Sequence, residues 1–209
     1  MTDVWQNLAG QDTAKRAIEI AMVGGLPITF VPQEGAGYSF TQYDIDRLTG
    51  DNREKAQSRY DWYEGEPMSL AAAVDTVAHV RAITDDLAVR CGLPALDTTH
   101  DDAAMRIDIS PISCLDFVLP APQEPIDTVV WRVMKGWEKL PSITDDLTPE
   151  AQGLRDNWLR CVPSAPVDEA IKIARCVAAL GGYAANDVKD GGPQISRMCL
   201  AEAISYCRR

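Results

Sequence analysis

The chain has 209 residues, 46% of them hydrophobic and 24% charged, with a formal net charge of -11. That length and apolar share suffice for one large domain or two small ones with a buried core. The acidic surplus argues against direct nucleic-acid binding, the lack of any apolar run of about 18 residues argues against a membrane span, and six scattered cysteines without a CxxC pair argue against a zinc site. The opening MTDVWQNLAG has neither a basic start nor an apolar segment, so the chain reads as cytoplasmic.

In chain order, GQDTAKRAIEIAMVGG (10–25) sets Ala14, Ala17, Ile18, Ala21 and Met22 on one helical face, with Gly24-Gly25 as the stop. LPITFV then has the composition of a short buried strand, and PQEGAGYS (32–39) reads as a loop. Residues 41–67 are polar, acidic and aromatic, with weak helical segments at best. From Ser69 to Cys91 the stripe Leu70, Ala73, Val74, Val77, Val80, Ile83 and Leu87 predicts a long helix, with Ser69 a candidate cap. MRIDIS (105–110) and CLDFVLP (114–120) look like strands around a Ser110-Pro111 turn, followed by a proline-rich loop, APQEP. Val129, Val130, Val133, Trp137 and Leu140 mark another helix. Three more are predicted at 148–160, 166–180 and 193–207, opened by Thr148-Pro149-Glu150, closed by Gly181-Gly182 and started at Pro193 respectively.

Charge and texture both change near 141–147. Residues 147–209 hold 8 basic and 7 acidic side chains, leaving 12 and 24 for residues 1–146. The reading is a two-part chain, 1–146 and 147–209.

The ungapped stretch GQDTAKRAIEIAMVGGLPITFVPQEGAGYS (10–39) resembles the opening of the magnesium-chelatase subunit I family of AAA+ ATPases, including its competence-protein branch. There a helix with a double glycine leads into a strand and a phosphate-binding P-loop at the same spacing. A second resemblance lies at the other end, where APVDEAIKIARCVAALGG (165–182) and LAEAISYCRR (200–209) are similar to the last helices of that family's lid domain. Together the two cover about half the chain. They imply an α/β fold, with a shortened P-loop AAA+-like core over 1–146 and a helical lid over 147–209. They also imply a phosphate loop at Gly35, Ala36, Gly37, Tyr38 and Ser39, with Ser39 and Asp108 as magnesium ligands for ATP or ADP.

The departures bear on chemistry. Pro32 replaces a family glycine, Gln33 and Glu34 replace two prolines, and Tyr38 replaces the lysine, while Gly35, Gly37 and Ser39 hold. A working loop cradles phosphates on backbone N–H groups, sets its lysine on the β and γ phosphates and its Ser/Thr on magnesium. Tyr38 supplies no charge, which forfeits a contact of about 1.5–3 kcal/mol, and Glu34 adds repulsion. Asp108 in MRIDIS is the candidate metal carboxylate, but Ile109 follows it where the catalytic glutamate belongs; the same letters also match a later family strand in which Arg106 takes the place of an arginine. The lid's arginine position holds Ala165 or Pro166.

Two functions fit. One is a pseudo-ATPase that keeps the fold as a binding or regulatory surface for a protein partner or in a homo- or hetero-oligomer. The other is a nucleotide-dependent remodelling subunit that binds ATP weakly or shares its site with a neighbouring subunit. Lys15, Arg16 or Arg106 reaching the loop would favour the second. The eroded middle would suit a phage or mobile element. His79 reads as a surface histidine, His100 with Asp101 and Asp102 as a solvated loop, and Tyr60–Tyr63 as a small core or protein contact.

Overall fold

The computed structural model describes residues 11–32, 45–47, 49–54, 57, 70–99, 103–109, 124–181 and 193–207, with 70–75 described as backbone only. The glycine loop at 33–40, the expected strand at 114–120, His100 and Tyr60–Tyr63 lie outside the described residues.

The main elements are helix α1 (Asp12–Gly24), strand β1 (Ile28–Pro32), helix α2 (Leu70–Cys91), strand β2 (Met105–Ile109), then helices α3 (Ile126–Lys139), α4 (Pro149–Cys161), α5 (Val167–Leu180) and α6 (Arg197–Tyr206). A 3-10 turn over Leu140–Ser142 closes α3. The described part is therefore mostly helical, with a small parallel sheet. β1 and β2 pair in register from Ile28 against Met105 to Pro32 against Ile109. Parallel strands need a long crossover, and α2, which packs on both, lies in that connection.

α1 stops where the double glycine predicts. Gly25 takes φ 58° and its N–H donates to the Ala21 carbonyl, a left-handed cap open to glycine without strain. The expected single apolar face is too narrow, however: Ile20, Val23, Lys15 and Glu19 are buried as well. A helix buried nearly all round, its charges included, is an interior helix. α1 packs against α3 and α5 and touches α2 and β2.

Two close approaches fix this arrangement. A Cβ on Gly24 would meet Cys176 Sγ at 2.5 Å, and one on Gly136 would meet Val23 Cγ2 at 2.8 Å and Leu180 Cδ2 at 3.2 Å. Glycine at these points lets α1, α3 and α5 come together. One buried cluster accordingly includes Ile18, Ile28, Ile83, Ile107, Val133, Ile173 and Leu200, running without a break across residue 147.

The last helix starts later than its sequence suggests. Ile195 donates to the Asp146 carbonyl and accepts from Thr148 N–H, so 193–196 runs extended beside 144–148. Helix α6 then begins after Ser196, whose hydroxyl accepts from Cys199 N–H at 3.3 Å. Thr148 caps α4 in the same way, accepting from Ala151 N–H.

Burial near this core sets an alkaline limit. The Cys176 thiol is pushed up to about 12, Cys207 to about 11 and the Tyr206 phenol to about 12, in each case mainly by loss of water. Each group holds its proton more tightly folded than unfolded, so its contribution is full below about pH 9 and is lost as pH rises through the folded values. Lys15, lowered by burial, works the other way, but one group does not reverse three. We expect denaturant-derived stability to fall steadily from pH 9 to 11, by up to about 1.4 kcal/mol per pH unit for each titrating group. A flat profile over that range would contradict the packing described.

Candidate functional site

β1 carries the chain up to Gln33, where the glycine loop begins, and β2 runs beside it in the same direction. Phosphate-binding loops in general sit at the carboxyl end of a strand within a parallel unit. Asp108 lies in β2 opposite Val31, one residue from the strand end. Strand alternation turns Met105, Ile107 and Ile109 into the core and Arg106 and Asp108 outward.

On that outer face the Arg106 guanidinium stands 3.7 Å from the Asp108 carboxylate, with the side chains 43% and 61% exposed. Asp108 is thus in open solvent beside a cation, a setting in which the ion pair is worth little and the arginine competes with any metal for the carboxylate. Among the described residues no cluster of three His, Cys, Asp or Glu side chains could hold a metal ion. Ser39, its expected partner on magnesium, lies outside the described residues, as do Gly35, Ala36, Gly37 and Tyr38.

The three cations whose reach to the loop would favour a nucleotide-dependent subunit are placed as follows. Arg106 is turned to Asp108. Arg16 gives Nε to Glu202 at 2.8 Å and has Glu19 at 3.8 Å. Lys15 is buried in α1, where desolvation lowers its pKa. Arg16 is therefore hydrogen-bonded to Glu202, while Arg106 stands beside Asp108 in solvent.

A more developed set of charges escapes sequence reading. Glu19, buried in the middle of α1, accepts Arg132 Nε at 2.8 Å and its terminal nitrogen at 2.6 Å. Arg132 also grips Glu124, at 2.7 and 3.0 Å. Both hydrogen-bonded carboxylates raise the Arg132 pKa against its desolvation. The only signal in the sequence is a glutamate inside AIEIAMV, a charge that burial obliges to find a partner. Which arginine answers it is not written there.

An apolar groove of about 640 Å³ lies at the start of β1, between the end of α1 and residues 93–97, with Met22, Leu93, Leu96, Trp137 and Leu140 among its walls. On α3, Trp131 is 63% and Trp137 50% exposed. His79 is exposed on α2, as expected. No helix among the described residues is long and apolar enough to cross a membrane. Comparison with protein-family models, with curated proteins and with solved structures finds no match.

Proposed function

We propose that the chain is a degenerate P-loop module of the magnesium-chelatase subunit I type, keeping a nucleotide-site scaffold as a binding or regulatory surface and no longer hydrolysing ATP. The observation that carries this reading is the unit formed by β1, α2 and β2, in which the strand leading into EGAGYS is paired in parallel with a neighbour whose crossover contains a helix. The loop without its lysine, Asp108 without a following glutamate, and the lid position without arginine argue together against turnover, because each removes a separate part of phosphoryl-transfer chemistry. The hydrogen bond that ties Arg16 to Glu202 supports the same conclusion. Half-exposed tryptophans on α3 suit a protein partner, since such side chains anchor interfaces.

A thermal melt with and without millimolar Mg-ATP or Mg-ADP tests the reading. We expect a shift below about 1 °C and no phosphate release. Saturation at a hundred times the dissociation constant would add about 2.7 kcal/mol, a shift of roughly 5–10 °C for a chain of this size. A shift of that size would sink the empty-loop reading in favour of a nucleotide-dependent subunit. Phosphate release abolished by Ser39→Ala would overturn the pseudo-ATPase outright.

A further inference from the structure

Charged side chains on three separate stretches of chain line up with alternating sign. Glu124 precedes α3, Arg132 lies within it, Arg16 and Glu19 belong to α1, and Glu202 and Tyr206 to α6. The contacts run Glu124 to Arg132 at 2.7 Å, Arg132 to Glu19 at 2.6 Å, Arg16 to Glu19 at 3.8 Å, Arg16 to Glu202 at 2.8 Å, and Tyr206 hydroxyl to Glu202 at 3.5 Å. Every charge in the row stands between charges of the opposite sign or ends on one. Glu19 is the member both arginines share, and its side chain is 5% exposed, so its pairs are poorly screened.

We infer that this row is a conformational latch which holds the C-terminal helix α6 and the start of α3 on α1, so that the three stretches move as one body. α6 is a short helix whose apolar face, Cys199, Leu200, Ala203 and Tyr206, packs mainly with α5 and α4, and Arg16–Glu202 adds a directed polar tie to α1. Apolar packing tolerates sliding, whereas a charge-assisted hydrogen bond fixes register. α1 in turn reaches β1 through only Gly25, Leu26 and Pro27. The latch therefore connects the chain's last helix to the rod that leads to the glycine loop. It stands independently of whether any nucleotide binds there.

Amide hydrogen exchange on the full chain tests the latch in a double-mutant cycle of Arg16→Met, Glu202→Gln and the pair. Each single change is expected to speed exchange in α6 by roughly tenfold, the worth of one charge-assisted bond, with α2 unchanged and the double variant little worse than either single one. Effects that simply multiply, or a rise spread evenly over α2 and α6, would overturn the latch and leave two ordinary stabilising residues. Glu19→Gln provides a separate readout: exchange should rise in α6 and in 124–132 together. A rise in only one of them would show that Glu19 does not join the two ends.

Discussion

Residues 1–146 produced alone are expected not to fold cooperatively, although the sequence changes texture at their end. α1 is the reason. Its buried side chains include Ile18, Ile20, Met22 and Val23, and much of what covers them comes from α5, which approaches so closely that Cys176 Sγ leaves no room for a side chain on Gly24. Burying one such aliphatic side chain contributes about 1.5–3 kcal/mol, so uncovering several removes an amount comparable with the entire stability of a domain, about 5–15 kcal/mol. The measurement is a urea titration followed by circular dichroism, with the full chain beside the truncated one. We expect a sigmoidal transition for the full chain and a gradual slope for 1–146, with 147–209 added as a separate peptide restoring part of the transition. A cooperative transition for 1–146 by itself would mean that α1 finds its cover elsewhere.

The second large effect belongs to Glu19→Ala, expected to cost about 3 kcal/mol, or roughly 6–12 °C in melting temperature. Deleting the carboxylate leaves the Arg132 and Arg16 guanidiniums, each about one quarter exposed, facing a gap that held their shared counter-charge. The loss sits at the low end for a broken buried pair because Arg132 keeps Glu124 and Arg16 keeps Glu202. Buried pairs are costly to break yet often replaceable as a unit, so Glu19→Leu combined with Arg132→Met should cost less than Glu19→Ala alone. A double variant as unstable as the sum of its parts would place the effect of Glu19 in packing rather than charge.

Much of the local structure could be read from the residues in order. The Gly24-Gly25 stop, the stripe from Val77 to Leu87, the alternation in MRIDI and the Thr148-Pro149-Glu150 opening each act within a few residues, and helix, strand and cap appear where expected. Local signals failed where a distant partner intervened. Pro193 looks like a helix start, but Ile195 is drawn into pairing with 144–148, and the helix waits for Ser196.

The candidate phosphate loop was likewise a matter of sequence alone: its glycines, its serine, and a Tyr38 that cannot carry the charge of a lysine. Only the tertiary structure decided that Asp108 faces solvent beside Arg106, that Arg16 is committed to Glu202, and that Glu19 is shared between two arginines. The division has a physical cause. Capping, turning and alternation are settled by neighbours along the chain, whereas a buried charge is settled by whichever side chain of opposite sign the packing brings within about 3 Å, and for Glu19 that side chain is Arg132, 113 residues away.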